Sequence, residues 1–244
     1  MSMDFSFTVR TYHVDQNSRL RSPALMGYLQ EAAWYHAAAL QVSVHDLRGK
    51  GLAWFLSRLT ISMDYWPALG DKLTVTTWPS GGDKLYQYRD FEVKDARGRV
   101  IGRAGSSWLV VALENRKLSP LPAFIKELPA QEPTGVLATS KLRWPGEATH
   151  RRQLSVRWHD HDQYGHVNNT IYAQWALESL PWTQLSSQTL TYLDVQFRQE
   201  AQGEGNILSE SAEREAGNYL HQVTHEAHGQ VLAMLETRWQ GGEG

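Results

Sequence analysis

Phe5, Phe7 and Val9 stand between polar neighbours, the two-residue period of a half-buried strand. The period then changes. Leu25, Leu29, Ala33, His36 and Leu40 recur at helical spacing behind Ser22-Pro23, which predicts a long helix with Ser as cap and Pro at its first position. Its small residues, Ala32, Ala33, Ala37 and Ala38, allow it to lie close against a sheet. Leu59, Ile61, Met63 and Tyr65 alternate with Thr60, Ser62 and Asp64 and end at Trp66-Pro67, predicting a strand over 59–66. Further strands are predicted over Leu73–Trp78, Leu85–Val93 and Val100–Leu113, with turns at Ser80-Gly81-Gly82-Asp83 and Ala96-Arg97-Gly98.

Prolines then crowd the chain at 120, 122, 129, 133 and 145 and leave room only for a short helix near Ala123–Leu128. Beyond them the plan returns. A strand near Leu154–Trp158 and a helix over Thr170–Leu180 precede strands near Leu190–Arg198, Ile207–Arg214, Tyr219–Ala227 and Val231–Trp239. Leu59–Trp66 and Leu193–Glu200 can be laid over one another as the strand following each helix. One helix followed by several strands, twice, predicts an α+β protein made of two similar halves, a pseudo-dimer in one chain. The expected domains are 1–128 and 150–244, joined by a linker over 129–149.

Composition narrows the function. The chain has 244 residues, 41% of them hydrophobic, and can fill a core in each half. Its 24 basic and 26 acidic residues argue against a general nucleic-acid binder. The absence of cysteine excludes disulfides, thiolate metal sites and a Cys nucleophile. No apolar run approaches the roughly 20 residues that cross a bilayer, and the start, Met-Ser-Met-Asp-Phe-Ser-Phe, has no signal-peptide pattern, so no membrane association and a cytoplasmic location are expected.

The densest chemistry lies in Trp-His-Asp-His-Asp-Gln-Tyr-Gly-His-Val-Asn-Asn, residues 158–169. Asp162, Gly165, His166, Asn168 and Asn169 form a polar turn leading into an Asn-capped helix, whose unpaired N–H groups would stabilise a carbonyl oxygen gaining negative charge. Capping alone would account for an Asn-Asn pair, but not for the whole cluster. His159, His161 and His166 with Asp160 and Asp162 also raise metal binding. No second cluster completes a closed site, and no metal or other cofactor is expected. His221, His225 and His228 read as solvent-facing.

Asp-x-x-Gly-His-Val-Asn-Asn followed by Tyr172, Trp175, Leu177-Glu178-Ser179 and Pro181 resembles the second hotdog domain of acyl-ACP thioesterases. Gln30-Glu31-Ala32-Ala33, Trp66-Pro67, Gly70-Asp71, Ala104, Ser106-Ser107-Trp108 and Arg116-Lys117-Leu118-Ser119 resemble the first. The likeness runs from about Phe7 to about Trp239 and implies two tandem hotdog domains, each an antiparallel sheet wrapped around a central helix. It also implies metal-free hydrolysis of acyl-ACP thioesters to free fatty acid and holo-ACP. An acyl-CoA thioesterase and a non-catalytic acyl-binding protein on the same scaffold are the alternatives.

Carried over residue by residue, the resemblance assigns Asp162, His166 and Glu200 to catalysis, with Tyr164 where the family has Asn and Ala201 where members often have Cys. Either Glu200 or Asp162 then activates water, with His166 orienting a carboxylate or holding the substrate carbonyl, and a carboxylate nucleophile stays open. Gly165, Asn168 and Asn169 are expected to hold substrate, and Trp108 with the first helix to line an acyl channel. The first half has no Gly-His pair around Asn17–Ser22, so it is expected to lack the acid-and-His turn and to shape the acyl pocket. Arg97, Arg99, Arg103, Arg116, Lys117, Arg151 and Arg152 are candidates for docking the acidic acyl carrier protein, the expected partner. A homodimer is compatible with the internal repeat and not demanded by it.

Overall fold

The computed structural model describes residues 1–241; the last three positions of the expected C-terminal domain lie outside the described residues. The chain divides into two compact units, Met1–Ala138 and the part from Thr139 onward. In the first unit, β1 (Met3–Thr8), β2 (Leu52–Met63), β3 (Lys72–Gly82), β4 (Tyr86–Asp95) and β5 (Val100–Ala112) are ordered β1-β3-β4-β5-β2, with the two-residue β6 (Leu118–Ser119) on β5. The neighbouring pairs are antiparallel. Helix α1 (Ser22–Ala39) packs on β1 and β3 through Leu25, Tyr28, Leu29, Ala32 and Ala33. Ser22 is the first helical residue and not the cap. That position falls to Arg21, which offers no capping side chain, while Pro23 fits the first turn.

The second unit repeats the order. Strands β7 (His150–Ser155), β8 (Gln188–Phe197), β9 (Asn206–Glu215), β10 (Asn218–His225) and β11 (Gln230–Gly241) run β7-β9-β10-β11-β8, all neighbours antiparallel. Helix α4 (Asn169–Leu177) packs on β9, β10 and β11, burying Tyr172, Ala173, Trp175 and Ala176. Each unit is therefore a hotdog domain, and the chain carries two in tandem. Two expected strands end early. The strand expected over 59–66 ends at Met63, and the one expected to carry Glu200 ends at Phe197, so Trp66 and Glu200 both sit on the loops that follow. The expected strand at Leu154–Trp158 lies earlier, because Trp158–Asp160 form a 3₁₀ turn.

Among the described residues the remaining α-helices are short: α2 (Val44–Arg48), α3 (Ala123–Lys126) and α5 (Trp182–Ser187). Residues 129–138 pack on the first unit, where the Trp78 indole donates to the Glu132 carbonyl, Asp90 accepts from Thr134, and the Ala138 N–H donates to Thr60. From Ser140 onward the same stretch packs on the second unit. Its Leu142 joins Leu220 and Met234, with Trp144 alongside.

His221 corrects the expectation that it faces solvent: it is completely buried on β10. Its Nδ1–H donates to the Ala176 carbonyl at 3.1 Å, and its Nε2 accepts from Thr237, whose oxygen in turn accepts from the Trp239 indole. His225, 8% exposed, is buried too. In the first unit the Nδ1 of buried His36 accepts from Arg89 at 2.9 Å. Burial, then the Arg89 charge, pushes the His36 pKa down to about 4, and burial takes His221 to about 3. Both are neutral when folded and take a proton on unfolding below about pH 6.5, so they destabilise the fold as pH falls. Unfolding free energy should drop from pH 6.5 to 4 with a slope contribution of up to about 1.4 kcal/mol per pH unit for each. Urea titrations check this: His221→Gln should flatten the profile, and an unchanged slope would remove His221 from the account.

Candidate active site

The corner is built from a turn that its own carboxylate closes. Asp162 Oδ1 accepts from the N–H of Tyr164 at 2.8 Å and of His166 at 3.2 Å, while the Asp162 N–H donates to the His166 carbonyl at 2.8 Å. Gly165 sits at φ +80°, a conformation that costs a glycine little, and its N–H closes onto the Asp162 carbonyl. The chain then enters α4. Asn168 caps it, its Oδ1 accepting from the N–H and hydroxyl of Thr170. The Ile171 N–H goes to the Asn168 carbonyl. The N–H of Asn169, first residue of α4, has no hydrogen-bond partner among the described residues, leaving one donor at the positive end of the helix dipole.

Glu200 meets this turn from the loop after β8. Its Oε2 lies 3.5 Å from His166 Nε2, with side chains 44% and 32% exposed respectively, so the pair is long for a hydrogen bond and open to water. The loop is tied down on both sides of Glu200. The Arg198 and Gln199 N–H groups donate to the Leu232 carbonyl, the Ala201 carbonyl accepts from Val167, and the Ala201 N–H donates to the buried Tyr172 hydroxyl. His166 and Gln202 also form an isolated β-bridge. Asp162, His166 and Glu200 are thus brought together, with half-buried Tyr164 in the same turn contributing a backbone N–H to its closure. Trp108 belongs to the first unit, on β5, where its indole donates to Ser106 at 2.9 Å. The Trp239 indole makes the same i,i−2 contact to Thr237 in the second unit, so this bond is a feature of the repeated fold.

The first unit has no acid-and-His pair at this place, yet its backbone forms a turn of the same shape around an acid. Asp15 Oδ1 accepts from the N–H of Asn17 at 2.8 Å and of Arg19 at 3.0 Å, the Asp15 N–H donates to the Arg19 carbonyl, and Ser18 takes the left-handed position at φ 59°. The match extends outward. Leu20 donates to the Pro67 carbonyl as Val167 does to Ala201, and Arg19 bridges Ala68 as His166 bridges Gln202. Arg19 and Trp66 therefore occupy the places of His166 and Glu200. A guanidinium and an indole stand where the second unit has an imidazole and a carboxylate, so the first turn carries the geometry without the acid–base pair. The spacing Asp15-x-x-Ser18-Arg19 was the available signal; it is masked because Ser replaces Gly.

Around the second turn, Asp160 is buried and held by Arg157 through its side chain and backbone N–H, and His161 Nδ1 lies 3.2 Å from the Arg157 carbonyl. Among the described residues no group of three or more His, Cys, Asp or Glu is placed to hold a metal. Of the basic candidates, Arg99, Arg103, Arg151 and Arg152 lie within ion-pair distance of Asp95, Glu92, Glu210 and Glu178. A depression in the first unit, lined by Trp78, Ser80 and residues 130–133, contains none of the expected site residues.

The model of the acyl-ACP thioesterase N-terminal domain matches residues 2–128, and that of the C-terminal domain matches residues 145–241. The chain belongs to the acyl-ACP thioesterase family. It is 27% identical to a chloroplastic acyl-[acyl-carrier-protein] hydrolase of Cuphea viscosissima over 96% of this chain and 61% of that protein. To a second such hydrolase of the same plant it is 30% identical over 80% of this chain and 50% of the other. The chain thus spans about three fifths or less of the length of these relatives. Among solved structures, an acyl-ACP thioesterase from Bacteroides thetaiotaomicron superimposes with a TM-score of 0.90 at 24% identity, covering 98% of both chains. A 12:0-ACP thioesterase from Umbellularia californica does so at 0.85 and 22%, over 99% of this chain and 98% of that one. These likenesses establish the double-hotdog fold of the family member described here. No helix among its described residues is long and apolar enough to cross a membrane.

Proposed function

We propose that this family member hydrolyses acyl-ACP thioesters to free fatty acid and holo-ACP, with Glu200 as general base. The observation that carries the reading is the His166–Glu200 pair, set on a family-wide fold in one unit and replaced by Arg19 and Trp66 in the other. Glu200 is the better base of the two carboxylates. Asp162 commits an oxygen to two backbone N–H groups, whereas the Glu200 side chain is 44% exposed and lies 3.5 Å from His166. In this scheme water attacks the thioester carbonyl, Glu200 takes its proton, and His166 orients the carboxylate. The Asn169 N–H supplies a donor for the developing oxyanion, and the thiolate of the carrier's pantetheine arm leaves and is protonated.

The first unit shapes the acyl pocket in this reading, with Trp108 among its lining residues and residues 129–149 as the linker. The carrier protein is the partner, met by basic residues not already paired, and the location is cytoplasmic. The test is turnover of matched acyl-ACP and acyl-CoA series by the purified protein. ACP thioesters should be hydrolysed with a kcat/KM at least about tenfold above their CoA counterparts, about 1.4 kcal/mol of discrimination. Equal or better use of CoA would transfer the assignment to an acyl-CoA thioesterase. Binding of acyl chains without turnover of either series would make the protein a binder.

A further inference from the structure

Glu200 is exposed and lies three residues past the end of β8, so something must hold its carboxylate opposite His166. The residue next to it is gripped twice: the Ala201 carbonyl by the Val167 N–H at 3.1 Å, and the Ala201 N–H by the Tyr172 hydroxyl at 2.8 Å. Tyr172 is itself fixed. It is 2% exposed on α4, with its ring against Trp175 and Phe197, the last residue of β8.

The first unit supplies an internal control. Pro67 occupies the place of Ala201, accepting from Leu20 as Ala201 accepts from Val167, and proline has no N–H to satisfy. Leu25 stands three residues after the start of α1, as Tyr172 stands three after the start of α4, and it has no hydroxyl to offer. The donor and its acceptor are thus absent together where the loop carries Trp66. They are present together where it carries Glu200.

We propose that Tyr172 is the positioning residue that sets Glu200 against His166, acting through the Ala201 amide. The hydroxyl oxygen accepts from Ala201, and the phenolic proton remains as a donor. Burial, and then the charges of Glu200 and Asp162, push the Tyr172 pKa up to about 12 against the opposing effect of the Ala201 amide, so the hydroxyl keeps its proton throughout the neutral range.

The catalytic consequence rests on the thioesterase reading above, and the geometric one does not, so the test reads both. Tyr172→Phe keeps the ring and removes the acceptor. In the wild-type background it should lower kcat about tenfold with KM within about twofold, and in the Glu200→Gln background it should cost no further activity, because its effect passes through Glu200. A purely structural role would give the same loss in both backgrounds and would overturn the proposal, as would a wild-type kcat in Tyr172→Phe. A crystal structure of Tyr172→Phe should show the Glu200 carboxylate displaced from its 3.5 Å approach to His166. An unchanged approach overturns the proposal even if the protein hydrolyses neither thioester series, an outcome that would by itself sink only the thioesterase reading.

Discussion

Glu200→Gln should lower kcat for acyl-ACP hydrolysis by about two to four orders of magnitude, the range a positioned general base supplies. Its unfolding midpoint should stay at that of the unsubstituted protein. The side chain is 44% exposed and its close ionic partner is His166, a pair reachable by water. Exposed positions of this kind usually change stability by no more than about 0.5 kcal/mol. Glutamine keeps the length and polarity of the side chain and loses the basic oxygen, so the substitution separates proton transfer from packing. His166→Gln should also lower kcat, and adding it to Glu200→Gln should cost much less than the product of the two single losses, as for residues that act as a unit. Retention of a third or more of wild-type turnover in Glu200→Gln would move the base to another group.

The repeated order of helix and strands was legible because apolar residues keep the two-residue period along strands and the helical period along α1, as in the buried Leu59, Ile61 and Met63, even where the polar Thr60 between them is buried as well. The equivalence of Trp66 and Glu200 could be read from the overlaid strands, although indole and carboxylate share no chemistry. The backbone holds both loops with the same bonds. The turn at Asp15 was not legible because a serine at positive φ gives no sequence signal of the kind glycine gives. The polarity of His221 suggests a surface residue, and its strand position says otherwise. Tyr219, His221 and Val223 alternate along β10 and all three are buried, so its place in the two-residue period, and not its polarity, decides the face it takes. Helix α5 carries no sequence signal of its own, because Pro181 reads as the end of a helix. Here it is also the cap of the next one. The role of Tyr172 had no sequence signal, since the acceptor and the N–H it satisfies are 29 residues apart.

The two acid turns give a second large effect with its control built in. Asp15→Ala and Asp162→Ala each remove a carboxylate oxygen that accepts from two backbone N–H groups. Asp162→Ala, in a part-buried turn, should lose roughly 1–3 kcal/mol of unfolding free energy, whereas Asp15→Ala, in an exposed turn whose freed N–H groups water can satisfy, should lose about 1 kcal/mol or less. Their catalytic effects should diverge. Asp15→Ala should hydrolyse acyl-ACP within about threefold of the unsubstituted protein, whereas Asp162→Ala should lose about a hundredfold or more, because the peptide that carries His166 is one of the two its oxygen holds. Asp162→Asn then divides shape from charge. Its amide oxygen can close the same turn, so stability should return nearly to that of the unsubstituted protein. If turnover returns with it, Asp162 serves as the brace of His166 and the negative charge required for hydrolysis is that of Glu200 alone. If the turn is restored and turnover is not, the Asp162 charge itself takes part, and the exclusive assignment of the base to Glu200 fails.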